Sequence, residues 1–484
     1  MVAVSLVDAV PDTDAVVIAT RAGSGTAVPD AAAAPVDAQL GGQLGAALKA
    51  LGATGKLDEV VRIPTLGMAR FPLVVATGLG PDDSDVPADE RARRAVGAAL
   101  RSLGGKASVH VAIDAPVAAL AEGALYGSYR FTTYRSKPGS ALRKITIGAA
   151  GNAANRAALR RAKVLADALH TVRDLVNTPP NDLYPETFAA RLAQLASGLE
   201  VEVLDQRALA RGKYGGILAV GAGSARPPRL VRVRYRANRP RARVALVGKG
   251  VTYDSGGLNL KPAPSLTWAK SDMAGGAAVV AAVVAAAALR LSVDVTATVP
   301  IVENMPGYSS YRPSDILTLR NGTTVEVVDT DAEGRLILAD AIARALEDDP
   351  EYLIEASTLT AAQIVALGTK MAGAMGEPEF RDRVTALANA AGEATWAMPL
   401  LSDLRPGLDS PVADLANLPG DRWGSMIVGG TFLSEFIPDG LPWVHLDVVG
   451  PAWNPSGPWG YTPKGATGAP VRTLIAALED LAAG

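Results

Sequence analysis

At 484 residues the chain exceeds the length that one hydrophobic core ordinarily supports, so two domains are expected. Its 47 Lys and Arg nearly balance 49 Asp and Glu, and the net charge of −2 removes any overall attraction to nucleic acid or to an anionic membrane. With no cysteine, disulfides, thiolate nucleophiles and sulfur-bound zinc are excluded; His110, His170 and His445 lie far apart, so carboxylates must carry most of any metal ligation.

The first residues, Met1 to Asp8, lack a basic segment followed by a long apolar one, so no secretory signal is expected and the protein reads as cytoplasmic. Ala15 to Thr20 and Phe71 to Thr77 read as buried strands and Ala88 to Leu103 as a helix, a small α/β domain. Gly78-Leu-Gly80 reads as turn glycines, because no phosphate-binding fingerprint follows. From Asn155 to Leu175, apolar residues recur at helical spacing with Arg and Lys opposite, an amphipathic helix that stops at the prolines of Asn177-Thr-Pro-Pro. The domain division is therefore set at 1–155, a linker helix and turn at 156–180, and 181–484.

Beyond Pro185 a helix is expected to Leu199, then strands at Val201 to Leu204, Ile217 to Val220, Leu230 to Tyr235 and Ala242 to Val247. Further strands are expected at Asp294 to Val302, Thr323 to Val328 and Tyr352 to Glu355, and helices at Met273 to Leu289 and Leu336 to Leu346. The alternation predicts a larger C-terminal α/β domain with a mostly parallel sheet covered by helices, whose ligands bind at the carboxyl ends of its strands. The run Met273 to Leu289 approaches membrane-spanning length, but its Ala and Gly content and flanking charges favour a helix buried against a sheet. Gly221-Ala-Gly223, placed after the expected strand Ile217 to Val220, lacks the third glycine of a dinucleotide site. His445 and the aromatics Trp443, Trp453 and Trp459 read as packing.

Between Val247 and Asp340 lie charges that such apolar, Gly-rich surroundings cannot leave unpaired. Asp329, Asp331 and Glu333 alternate, and if the preceding strand continues, a two-residue period points them the same way. Like charges so placed either hold a proton or bind a cation; a solvated acidic turn at a helix N-terminus is the plainer alternative. Asp254 follows a strand in a Ser-Gly-Gly loop, and Asp272 opens the apolar helix, where helix capping alone would account for it. Lys249 and Lys261 stand nearby and are surface cations on the plainer view.

Together these motifs resemble the leucyl aminopeptidase family of cytosolic metallopeptidases, whose signature Asn-Thr-Asp-Ala-Glu-Gly-Arg-Leu is matched by Asp329-Thr-Asp-Ala-Glu-Gly-Arg-Leu336 at all but its first position. The resemblance extends through Gly248 to Gly257, Ser271 to Gly276, Glu303 to Pro306, Ser357 to Thr360 and Trp443 to Asp447, and covers about residues 170–484. It implies an exopeptidase that releases leucine and other mainly apolar residues from peptides with a free N-terminus, assembled as a homohexamer. It further implies two divalent ions, zinc, manganese or magnesium. Asp254 and Glu333 would bridge them, Asp331 would complete one site, and Lys249 with Asp272 the other. Lys261 would stabilise the developing oxyanion, and Arg335 would hold a bicarbonate acting as base. Thr358 and Leu359 match substrate-contact positions; Ala269 stands where relatives often have Met, which loosens the expected leucine preference. Asp329 replaces the signature Asn and adds a carboxylate. A DNA-binding regulator, an inactive relative and a dinuclear phosphoesterase are the competing readings; balanced charge disfavours the first, and the presence of every mapped residue disfavours the second.

Overall fold

The structure is a computed structural model describing residues 2–23 and 25–484. The chain divides into two compact units, Met1–His170 with Pro455–Lys464, and Thr171–Asn454 with Gly465–Gly484.

In the first unit a seven-stranded sheet runs in the order Ala3–Val7, Lys144–Gly148, Ser108–Ala112, Val16–Ala22, Leu73–Gly78, Val60–Pro64, and Ala27–Pro29 pairs with Val16–Ala22. Val16, Val17, Ile18 and Ala19 are fully buried, as a strand with parallel neighbours and both faces covered requires. Helices Ala88–Ser102 and Val117–Gly127 pack against each other.

The second unit is built on a nine-stranded sheet in the order Thr395–Ala397, Ala372–Gly376, Trp443–Asp447, Tyr352–Ser357, Ala242–Gly248, Val293–Asn304, Arg229–Tyr235, Glu200–Leu204, with Gly250–Asp254 also on Val293–Asn304. Its central strands are parallel, so their carboxyl ends share one edge. Helix Ala274–Leu289 is apolar all round because it is enclosed all round, by the sheet and by the C-terminal helix Val471–Ala483. Ala269–Leu289 is long and apolar enough to cross a membrane, yet most of it is buried in this unit. Helix Glu333–Leu346 covers the sheet with Leu336, Ile337, Leu338 and Ile342, all fully buried.

Four expectations of secondary structure are corrected. Ile217 to Val220 is not a strand but part of helix Gly215–Gly221, so Gly223 follows a helix. A run of four apolar residues fits either element; here the Ile217 amide donates to Asp340 Oδ2 at 3.0 Å, a partner 123 residues away that anchors the helix start. Thr323 to Val328 shrinks to Thr324–Glu326 in a separate three-stranded sheet, and the chain then turns directly into the helix, which begins at Glu333 rather than Leu336. The helix after Pro185 ends at Leu195.

Candidate metal centre

The side chains expected to carry chemistry converge at the carboxyl edge of the second unit's sheet. Lys249 lies between strands Ala242–Gly248 and Gly250–Asp254, and Asp254 ends the second of them. Asp272 follows the 3-10 turn Ala269–Ser271, Glu333 and Arg335 occupy the first turn of helix Glu333–Leu346, and Asp331 precedes it. Because the strand stops at Glu326, no two-residue period aligns the acids; the turn does so instead. Asp329 Oδ1 accepts the Asp331 amide at 2.8 Å, a local bond that bends the chain towards the helix.

Lys249 Nζ sits 2.7 Å from both Asp272 Oδ2 and Glu333 Oε1 and donates to the Thr358 carbonyl at 3.0 Å, with only 2 % of the residue exposed. Lys261 Nζ lies 2.8 Å from Asp254 Oδ2 and also pairs with Asp331. Neither lysine is a surface cation. Asp272 Oδ1 accepts from Thr358 Oγ1 at 2.6 Å and makes no helix-capping bond, so capping does not account for it. Asp254 Oδ1 accepts the Gly256 amide and Asn304 Nδ2, both at 2.9 Å. Gly256 and Gly257 take positive φ to make this loop, and a Cβ on Gly257 would stand 2.8 Å from Asn304 Oδ1, so the Lys261 loop is pressed onto the acidic cluster by residues without side chains.

Four carboxylates thus face two ammonium groups in a closed space, and the electrostatics record the excess. Burial opposes charge on Lys249, but Asp272, Glu333 and Asp254 outweigh it and hold the amine protonated, its pKa above the ordinary range. Burial pushes Asp272 well up, and burial with the neighbouring Asp254 raises Glu333 and lifts Asp331 to about 7. Asp254 goes the other way: burial is overcome by Lys261 and Lys249. Carboxylates crowded and raised above their ordinary range in this manner are ones whose mutual repulsion a divalent cation would relieve. Oxygens of Asp254, Asp272 and Glu333 all lie within 4.8 Å of one another, a hard-donor set that fits such an ion.

Arg335 is buried, donates through Nη1 to the Asn417 carbonyl at 2.7 Å, and keeps an Nε with no hydrogen-bond partner among the described residues. Burial lowers its pKa to about 10. Leu359 donates its amide to Asp447 Oδ1 at 3.2 Å and packs by Gly334 and Gly429, while Ala269 is buried at the turn before Asp272.

A model of the cytosol aminopeptidase family's catalytic domain matches residues 170–475, and a model of that family's N-terminal domain matches 17–138. The chain belongs to the cytosol aminopeptidase family. It is 51% identical over 491 residues to a "Probable cytosol aminopeptidase" of Nocardia farcinica (strain IFM 10152), covering 98% of this chain and 96% of the relative. A protein of the same description from Mycobacterium tuberculosis (strain ATCC 25618 / H37Rv) is 50% identical over 459 residues, covering 91% and 88%. Among solved structures, the bottromycin maturation enzyme BotP superposes with a TM-score of 0.84 at 36% identity, covering 98% of this chain and all of that one; BotP in complex with Mn gives 0.85 at 35%, covering 97% and 100%. The chain is accordingly an aminopeptidase, a hydrolase.

In this family member, neutral residues with no charge to mark them support the cluster. Asn304 donates to Asp254 and to the Thr330 carbonyl, both at 2.9 Å, and Tyr311 donates to that same carbonyl at 2.6 Å. Asn417 accepts the Val328 amide at 2.7 Å and donates to the Asp329 carbonyl at 2.7 Å. The one sequence signal for any of them was Asn304 inside Glu303 to Pro306. His445 is not simple packing: its Nδ1 pairs with Glu355 on the neighbouring strand, and both residues are fully buried.

Proposed function

We propose that the chain is a metal-dependent aminopeptidase that removes leucine and other mainly apolar N-terminal residues from peptides, with two divalent ions, zinc, manganese or magnesium. The observation that carries this is Lys249, buried between Asp272 and Glu333 in a cluster with more carboxylates than cations. Asp254 and Glu333 would bridge the ions, Asp331 would serve one, and Lys249 with Asp272 the other, Lys249 giving up its proton on binding. When bound, such a pair supplies an acidified water, a polarised carbonyl and an anchor for a neutral α-amine, which selects free N-termini.

The chain's own groups do the rest. Lys261, held near the cluster by Asp254 and Asp331, is a fixed cation for the carbonyl oxygen as charge develops on it. Arg335, whose Nε has no hydrogen-bond partner among the described residues, fits a planar anion such as bicarbonate, which would act as the base; no histidine stands beside Arg335 in sequence. Leu359, Thr358, Ala269 and Asp329 would border the substrate. The enzyme is read as cytoplasmic and as a homohexamer, with the domain division at 1–155, 156–180 and 181–484.

Hydrolysis of a panel of aminoacyl anilides by chelated and by metal-restored protein tests the reading. Release should depend on metal, fall when the amine is acetylated, and favour leucine over acidic residues. Failure to release any free-amine substrate would overturn the activity, and activity surviving both Lys261→Ala and Arg335→Ala would overturn the roles.

A further inference from the structure

Two adjacent parallel strands of the second unit's sheet carry a block of buried polar side chains, Glu355 and Ser357 on one and His445 and Asp447 on the other. Glu355 stands opposite His445, and Ser357 opposite Asp447, so the alternation of the strands puts all four on one face. All four are fully buried. His445 Nδ1 pairs with Glu355, and Ser357 Oγ donates to the same carboxylate at 3.1 Å. Asp447, at the end of its strand, accepts from Thr360 Oγ1 at 2.7 Å and from the Leu359 amide at 3.2 Å, with a longer bond from the Val449 amide at 3.4 Å.

The loop so gripped begins with Thr358. That residue gives its hydroxyl to Asp272 and its carbonyl to Lys249, the two groups assigned to a single ion. A fully buried carboxylate at the end of a strand is costly to keep unless hydrogen bonds compensate its desolvation, so its partners are held firmly to it. Among the described residues, the hydrogen bonds of Asp447 come from the Leu359 and Val449 amides and the Thr360 hydroxyl, in the turns leaving the sheet.

We propose that Asp447, backed by His445 and Glu355, is a positioning residue that sets the Thr358–Thr360 loop and thereby the metal affinity of the Lys249 and Asp272 side, leaving the Asp331 side unaffected. The inference rests on the two-ion reading. Groups one shell removed from a metal typically shift affinity by roughly 10- to 100-fold when lost.

The test is a zinc titration of metal-free full-length protein against a chromophoric chelator, for wild type, Asp447→Asn and Thr360→Val, with folding checked by circular dichroism. Asp447→Asn keeps an acceptor while removing the charge; Thr360→Val severs one contact and leaves the carboxylate in place. One of two zinc affinities should fall roughly 10- to 100-fold in Asp447→Asn and by less in Thr360→Val. Adding Asp272→Asn to Asp447→Asn should lower the same affinity by less than the two single losses combined, since both act on one ion. Unchanged affinities, or equal loss at both sites, in folded Thr360→Val and Asp447→Asn would overturn the proposal, and should Asp447→Asn fail to fold, Thr360→Val decides alone. Wild type that binds fewer than two zinc ions would instead overturn the two-ion reading, and this inference with it.

Discussion

Lys249→Met isolates what the buried ammonium contributes before any metal binds. The substitution keeps most of the side chain's volume but removes two ion pairs at 2.7 Å and a hydrogen bond to the Thr358 carbonyl. At 2.7 Å and an effective dielectric of about 20, each pair represents roughly 6 kcal/mol of Coulomb attraction. Desolvation of three ions offsets most of that sum, and breaking a buried pair by deleting one partner costs about 3–5 kcal/mol in practice. The metal-free variant should therefore lose about 3–5 kcal/mol of unfolding free energy at pH 8, measured by urea denaturation with a chelator present. Zinc should raise the midpoint of wild type more than that of the variant, which lacks one of the proposed ligands. A loss below about 1 kcal/mol in the metal-free protein would refute the argument, because exposed pairs have that value and buried ones do not.

Lys261→Ala should lower kcat by roughly 10²–10³ with little change in KM, in steady-state hydrolysis of leucyl anilide by metal-loaded enzyme. Asp329→Asn removes a charge but keeps an oxygen able to accept the Asp331 amide, so the fold should persist while metal preference or pH optimum shifts; both unchanged would mean the extra carboxylate is inert. His110, 2 % exposed and bonded to Thr146 Oγ1 at 2.9 Å, has its pKa pushed by burial down to about 4. Its unfolded form takes up a proton first as pH falls, so this contribution is present above about pH 6.5 and lost as pH falls towards the folded value. His110→Gln should spare the first unit about 2 kcal/mol of the stability lost between pH 7 and pH 5, read by urea denaturation at both, and an identical loss would remove the assignment.

The longest elements were legible because their apolar runs and periodicities are long, as in Val293–Asn304 and the helix Ala153–Asn177, whereas shorter ones such as Ser108–Ala112, Val117–Gly127 and Lys144–Gly148 were not read. Ile217 to Val220 was not legible either, since four apolar residues do not choose between helix and strand and the deciding bond comes from Asp340. The clustered acids and lysines were readable from charge in apolar sequence, together with the family signature. What could not be read were neutral supports such as Asn417 and Tyr311, because an amide or a phenol in sequence carries no sign of a partner 89 or 19 residues away. Asp447 stood inside a recognised motif, but only the pairing of two strands reveals that it holds the Thr358–Thr360 loop.

Anyone wishing to make this enzyme withstand heat would begin by replacing helical glycines with alanine, a change worth about 0.4–1 kcal/mol where the backbone permits it. Gly334, in the first turn of the helix that carries Glu333 and Arg335, offers itself to that strategy. A methyl group placed there would lie 2.6 Å from Lys249 Cε and 2.9 Å from its Nζ. The lysine tip would have to move, and the clash would be relieved at the expense of the amine's two carboxylate partners. Gly275, whose added methyl would meet the Ala356 carbonyl at 1.9 Å, is closed for a different reason, the seating of the apolar helix on the sheet. Thermostabilised variants of this chain should therefore draw their alanines from elsewhere, and a library that randomises helical glycines should return Gly334 unchanged whenever activity is selected.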